Sequence, residues 1–438
     1  MAVRTVNAFL DLLKKSQLLS DAQLLALRDD VPQRQDSPLG LATTLVRRKV
    51  ISRWQAEQLL AGRCQFTLGG YRVIQHVGKG GMGKVYLAEA DATGDQYAIK
   101  ILSKKSLGNP EIVARFQREV QVAMALDHPN IVRAIASGNI RGQHFLVMEF
   151  VNGRNLNEWL DEYQQLPIEW ACECIQQVAY ALQYAHESGL VHRDIKPSNI
   201  LVLDNPMDGP PQVKLTDMGL ARMGQAADSD ELTQTGEIVG TVDYIAPEQA
   251  QNTKDADIRA DIFSLGCTLF KLLAGRVPYE GDTTVERLTA RISGAAPSIA
   301  DFRDDVPDQL TRIIACMLDR DRERRFQTPA EVANALNRYT ASSPDGWKEE
   351  STLRLPIPSD AEKQLAPAED IAVRDFFADV ALNENLHHAQ RSRQARKLTA
   401  AISVSVAIAS GFIWYFFSTS LFAYWQTWTE YFESLGNP

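Results

Sequence analysis

Val191-His192-Arg193-Asp194-Ile195-Lys196-Pro197-Ser198-Asn199-Ile200-Leu201, followed downstream by Thr216-Asp217-Met218-Gly219-Leu220-Ala221, is the sequence whose reading decides the fold. Phosphoryl transfer asks little covalent help of a protein. It requires in-line positioning, a base beside the attacking hydroxyl and metal ions on the phosphates. Asp194 offers a carboxylate that can accept a hydroxyl proton, and Lys196 a cation that can steady the transferring group. Asn199 and Asp217 offer hard oxygen ligands suited to Mg²⁺.

Upstream, Tyr71 to Val77, Lys84 to Ala90 and Tyr97 to Leu102 are strand-length runs rich in β-branched residues. Between the first two lies Val77-Gly78-Lys79-Gly80-Gly81-Met82-Gly83-Lys84-Val85. This G-x-G-x-x-G is followed by a strand, whereas a dinucleotide site wants a helix there. Glycines without Cβ let such a hairpin fold over phosphates, with backbone amides close to the oxygens. Lys100 ends Tyr97-Ala98-Ile99-Lys100 on the third strand, where an ammonium can neutralise phosphate charge. Glu119, mid-helix in the Glu111 to Leu126 segment, is its candidate partner. Helical spacing dominates from Ile168 to Ser188 and again after Ala246, so the expected class is α+β with a small mixed lobe and a larger helical lobe.

From about Tyr71 to Tyr339 the chain resembles the eukaryotic-type (Hanks-type) serine/threonine protein kinases, specifically their bacterial membrane-anchored branch. Further family marks follow in order: Gly240-Thr241, Ala246-Pro247-Glu248-Gln249, Asp261-Ile262-Phe263-Ser264-Leu265-Gly266 and Arg325. The resemblance implies a bilobal kinase fold, ATP and Mg²⁺, and protein substrates with Ser or Thr acceptors. It makes Asp194 the catalytic base, Lys196 its neighbour at the transferring group, and Lys100 the α/β-phosphate lysine with Glu119 its helix partner. Asn199 and Asp217 become the magnesium ligands. The nucleotide site is then Val77 to Val85 with Ala98, the gatekeeper Met148 and the hinge residues Glu149 and Val151. Glu248 with Arg325, and Asp261, resemble fold residues. Met218 departs from the family's usual Phe, and a flexible thioether fills the same apolar slot. Lys196 and Thr241 match the serine/threonine branch, making a non-specific serine/threonine protein kinase the expected enzyme. Arg193 is the expected receiver of a phosphate placed on Ser229, Thr233 or Thr235. The competing reading is a pseudokinase-type membrane scaffold that only binds partners. It has no need of both metal ligands, which this chain keeps.

Outside that region the chain divides further. Residues 1–66 read as a helical bundle of two hairpins, because Leu18-Leu19-Ser20-Asp21-Ala22-Gln23 is echoed by Val50-Ile51-Ser52-Arg53-Trp54-Gln55. In both copies Ser is followed three residues later by Gln, a capping box that marks a helix start. The bundle is an expected docking module for partner proteins. Residues 340–397 read as a polar juxtamembrane linker. Residues 398–418 read as a transmembrane helix and 419–438 as a short tail, too small for a separate sensor domain. No Asp, Glu, Lys or Arg occurs from Leu398 to Thr429, and about 20 apolar residues suffice to cross hydrocarbon. Arg391, Arg393, Arg396 and Lys397 precede the run and no basic residue follows it. The positive-inside rule then places the kinase region in the cytoplasm at the inner or plasma membrane, with homodimer formation through the span among the expectations. No secretory pattern opens the chain.

The 438 residues, 45% apolar and 23% charged, exclude a disordered, collagenous or multi-span chain. A net charge of -9 provides no basic footprint for nucleic acid, which is not an expected partner. Five scattered cysteines, Cys64, Cys172, Cys174, Cys267 and Cys316, fit neither a disulfide framework nor zinc. They are expected to be buried thiols in a reducing compartment.

Overall fold

The computed structural model describes residues 3–30, 37–80, 83–203, 210–217, 242–252 and 256–342. Four helices open it: α1 Val6–Lys15, α2 Asp21–Asp30, α3 Pro38–Arg47 and α4 Arg53–Leu60. Thr5, Ser37 and Ser52 accept the first free amides of α1, α3 and α4 through their side-chain oxygens. Both capping boxes form. Ser20 N donates to Gln23 Oε1 at 2.9 Å and Gln23 N to Ser20 Oγ at 3.2 Å, and the same pair of bonds joins Ser52 and Gln55. Phe9, Leu13, Leu41, Leu45 and Leu59 close a core into which Phe66, from the following segment, inserts.

A six-stranded antiparallel sheet follows, in the order β1-β2-β3-β4-β6-β5. Its strands are β1 Thr67–Leu68, β2 Tyr71–Gly80, β3 Gly83–Ala90, β4 Gln96–Leu102, β5 Ala134–Ile140 and β6 Gln143–Glu149. Strand alternation gives it two faces. Val73, Ala88, Ile99 and Val147 pack on one with Trp54 of α4. Leu102, Leu146 and Met148 pack on the other, against Phe116. Phe116 belongs to α6 Pro110–Ala125, which follows the one-turn α5 Lys104–Leu107. Sequence periodicity would stop the first long strand at Val77, but β2 runs on through the glycines to Gly80, because Gly80 pairs with Gly83 across the turn.

The large lobe is helical. It comprises α7 Leu156–Tyr163, α8 Ile168–Glu187, α9 Pro247–Gln251, α10 Ile258–Ala274, α11 Thr284–Ser293, α12 Asp308–Met317 and α13 Pro329–Ser342. A small antiparallel sheet of β7 Gly153–Asn155, β8 Ile200–Leu203 and β9 Val213–Leu215 lies on it. α10 is buried nearly all round, as expected of a helix apolar on every face. The last helix reaches Ser342, a few residues past the expected linker start. Cys172, Cys174 and Cys267 are buried as expected, and burial pushes the Cys267 thiol up to about 12. Cys64 and Cys316 are only half-buried, which corrects that expectation: neither lies on a wholly enclosed helix face. Among the described residues no helix is long and apolar enough to cross a membrane. The expected span 398–418, the tail 419–438 and residues 343–397 of the linker lie outside the described residues.

Candidate active site

The loop between α8 and β8 carries the decisive residues, and a buried carboxylate holds it. Asp261, in the first turn of α10 and without solvent exposure, accepts the amide N–H of His192 at 2.7 Å and of Arg193 at 2.6 Å. Burial pushes its carboxyl above the usual aspartate range, and the two amides bonded to it pull the other way. Arg193 sits at a positive φ of 65°, an uncommon backbone state for a residue with a side chain. Gln249 Nε2 donates to its carbonyl at 3.1 Å, and its own Nη2 donates to Ala256 O at 3.0 Å. His192 Nδ1 accepts from Asp194 N while Nε2 faces Thr216 O at 3.1 Å. One neutral tautomer, with the proton on Nε2, satisfies both contacts.

These anchors bring Asp194, Lys196 and Asn199 together. Lys196 Nζ lies 2.9 Å from Asp194 Oδ2. Asn199 Nδ2 donates to Asp194 O at 2.8 Å and to its Oδ2 at 3.1 Å. Asn199 in turn accepts Thr216 N through its backbone carbonyl at 2.9 Å, so the loop is tied to the end of β9, where Asp217 follows at φ 55°. Asp217 Oδ1 meets Lys100 Nζ at 2.8 Å. The Lys100 ammonium holds the Asp217 carboxyl below the usual carboxylate range.

The donor set fits a magnesium ion. The Asn199 side chain bonds Asp194 through its Nδ2 donors, and Lys100 Nζ meets Asp217 at Oδ1. An amide oxygen and a carboxylate oxygen are therefore offered, both of the hard type this cation takes. The glycine hairpin fits a phosphate chain. A Cβ at Gly78 would meet nothing within 4 Å, leaving backbone with room beside it, whereas a Cβ at Gly83 would lie 2.0 Å from Ile101 O, so β3 and β4 approach there only because Gly83 has none.

Ala98 and Met148 are paired across β4 and β6 on the face that carries Lys100. Val77 is half exposed and Lys84 and Val85 continue into β3. Glu149 spends its carboxylate elsewhere, accepting Lys214 Nζ and Arg133 N, each at 2.8 Å. Its backbone N–H donates to Arg133 O at 2.9 Å, and Val151 lies two residues past the end of β6. Lys79 and Gly80 lie on the β2 backbone. Gly81, Met82, Met218, Ser229, Thr233, Thr235, Gly240 and Thr241 lie outside the described residues, as does the side chain of Glu119 on α6.

Arg325 makes the expected ion pair in bidentate form with Glu248, at 2.7 and 2.8 Å, and also donates to Asp319, Arg259 and Arg320 carbonyls. Sequence reasoning missed Arg291, which is fully buried on α11 and donates to the carbonyls of Val242 and Asp243. An arginine in a charged amphipathic helix carries no signal of burial. Gln249 was quoted within Ala246-Pro247-Glu248-Gln249 but given no role, and the structure shows it bonded to the Arg193 carbonyl.

Residues 71–336 match the family described as protein kinase domain. The chain is 35% identical over 284 residues to a probable serine/threonine-protein kinase PknB of Lactococcus lactis, covering 65% of this chain and 44% of that protein. It is 35% identical over 312 residues to the serine/threonine-protein kinase PrkC of Bacillus subtilis, covering 69% and 46%. The chain thus spans less than half the length of either. Among solved structures, Rad53 1–466 in complex with AMP-PNP matches with a TM-score of 0.50 and 27% identity, over 64% of this chain and 68% of that one.

Proposed function

The chain belongs to the protein kinase domain family, and from that premise we propose that it transfers the γ-phosphoryl group of ATP to serine and threonine hydroxyls of proteins. The observation that carries the proposal is the connected set Lys100, Asp217, Asn199, Asp194 and Lys196, drawn from both lobes and joined through Thr216. Asp194 takes the proton of the attacking hydroxyl, and Lys196 beside it offsets negative charge as the phosphoryl group moves. Lys100 binds α- and β-phosphate oxygens under the glycine hairpin. The backbone at Glu149 and Val151 receives the adenine, with Ala98 and Met148 as its apolar walls. Asn199 and Asp217 are the residues that would hold Mg²⁺, which when bound neutralises phosphate charge. The two bacterial relatives, both described as serine/threonine-protein kinases, support serine and threonine as acceptors.

Two further elements belong to this reading. Arg193 is almost wholly buried, and its Nε has no hydrogen-bond partner among the described residues. A phosphate on Thr233 or Thr235 would supply charge-assisted bonds to that cation, making autophosphorylation the activating step. The basic cluster before an uncharged apolar run supports a single membrane span that keeps the kinase lobes in the cytoplasm, where the exposed faces of α1–α3 stay open to partner proteins.

Incubating the purified full chain with radiolabelled ATP and Mg²⁺ tests the central claim. Label on serine or threonine of the chain itself or of a generic protein substrate is expected. Label no greater than that of an Asp194→Asn variant would overturn it.

A further inference from the structure

The two Ser-x-x-Gln boxes are chemically identical, but only one of them touches the sheet. At Ser20 and Gln23 the described bonds stay within the box, which is solvent-exposed. At Ser52 and Gln55 the same internal bonds are made by acceptor atoms: Ser52 Oγ takes Gln55 N at 3.0 Å, and Gln55 Oε1 takes Ser52 N at 2.9 Å. The hydroxyl hydrogen and the amide NH₂ remain as donors. Both are spent on β2. Ser52 Oγ donates to Ile74 O, and Gln55 Nε2 donates to Val73 O at 2.8 Å, with Gln55 only 4% exposed.

The place where they land is particular. Val73 faces Ala88 and Gln75 faces Leu87, so the β2–β3 register passes over Ile74 as an extra residue. A second skip follows between His76 and Gly78, directly before the glycines. Each extra residue leaves the local ladder broken and reverses which side chains face which side of the sheet. The direction in which Val77 to Gly80 present themselves therefore depends on how the first bulge is held. Trp54 adds an apolar contact, its ring centroid 5.6 Å from Tyr86 and 5.9 Å from Phe66. The Tyr86 ring lies 5.3 Å from His76, its register partner on β2.

We propose that Ser52 and Gln55 are positioning residues for the nucleotide: α4 clamps the bulge of β2, and this sets the register in which the glycine hairpin meets ATP. The helical bundle is then part of the nucleotide-binding apparatus and not only a module beside it. The inference rests on the phosphotransfer reading for its ligand.

Isosteric changes separate the clamp from the helix cap. Gln55→Glu keeps the Oε acceptor for Ser52 N but has no donor for Val73 O, Ser52→Asp keeps the cap but has no hydroxyl for Ile74 O, and Ser52→Thr keeps both functions. Gln23→Glu is the same change in the box that touches no strand. With the full chain, three quantities are measured: the Kd of AMP-PNP, KM for ATP against kcat, and amide hydrogen exchange across residues 71–80. A lost net hydrogen bond shifts an equilibrium by about 3- to 10-fold. Gln55→Glu and Ser52→Asp should each raise Kd and KM by that factor and speed exchange in 71–80, with kcat within about twofold of wild type. Ser52→Thr and Gln23→Glu should match wild type.

Unchanged Kd and exchange in both donor-deficient variants would overturn the clamp, as would equal weakening by Ser52→Thr or Gln23→Glu. The two variants remove different donors, so misfolding of one leaves the other to decide. AMP-PNP binding and exchange need no turnover. A chain that binds the analogue yet transfers no phosphate defeats the phosphotransfer reading and not the clamp, whereas transfer intact with nucleotide affinity unmoved defeats only the clamp.

Discussion

Lys100 and Asp217, 117 positions apart in the chain, meet at 2.8 Å. One sits on a strand of the small lobe and the other just past the small sheet of the large lobe, so the ion pair joins the two lobes. Lys100 is shielded while Asp217 keeps 40% of its side-chain surface exposed, leaving a carboxylate oxygen accessible to a cation.

Replacing Asp217 with Ala removes that carboxylate from developing transition-state charge. We expect kcat to fall about 10³-fold, the scale seen when one preorganised electrostatic group is lost. Steady-state phosphorylation of a generic protein substrate measures it, and a variant within tenfold of wild type would contradict the role.

The same pair has a pH signature. A carboxyl held below its unfolded value of about 3.9 contributes stability that is present above that value and lost as pH falls through the folded one. Lys100→Met removes the first cause of the depression. The stability gap between wild type and variant should be flat from pH 7 to about 5 and should narrow below, and remain small because solvent screens the half-exposed carboxylate. Urea unfolding at several pH values would show it. A gap that widens on acidification would count against the ion pair.

The candidate site could be read from the sequence because phosphoryl transfer restricts residue type at Asp194, Asn199 and Asp217, and the fold class because the apolar period changes from strand to helix. Backbone strain was not. Arg193 and Asp217 adopt φ of 65° and 55° without glycine to announce it, since Asp261 and the β9 connection impose the conformation from outside the segment. The boxes at Ser20 and Ser52 could be read as helix starts, yet which one donates to a strand is decided by tertiary position, invisible in identical motifs. Arg291 was hidden for a related reason, because its carbonyl partners lie 48 and 49 positions away.

Glu248→Ala should destabilise the large lobe. Arg325 has a wholly buried side chain, and the truncation leaves its guanidinium without a counter-charge. Breaking a buried pair from one side costs about 3 to 5 kcal/mol. Thermal or urea unfolding of the full chain should register that loss. A cost below about 1 kcal/mol would mean the remaining carbonyl bonds suffice.

Activation by phosphate gives a separate expectation. After incubation with ATP, mass spectrometry should find phosphate between Ser229 and Thr241, because the Nε of the buried Arg193 has no hydrogen-bond partner among the described residues. A phosphate brings about −1.5 to −2 charge to it. A Thr233→Ala, Thr235→Ala double variant should lose most of its activity toward an added protein, and undiminished activity would rule out this switch.

The last expectation concerns the C-terminal run. Arg391, Arg393, Arg396 and Lys397 stand before Leu398, and the charged residues after the uncharged stretch, Glu430 and Glu433, are acidic. An uncharged run longer than the roughly 20 residues that hydrocarbon requires partitions into a bilayer, and basic flanks stay on the cytoplasmic side. The reverse orientation would carry both kinase lobes across the membrane, away from cytosolic ATP. Protease added to intact spheroplasts should therefore clip a tag placed after Pro438 and spare one placed before Met1. Substituting the four basic residues by Ser should scramble that pattern without altering phosphotransfer by the detergent-solubilised chain, because none of the four is among the residues of the proposed site. Full recovery of the chain in the supernatant after lysis without detergent would refute the anchor.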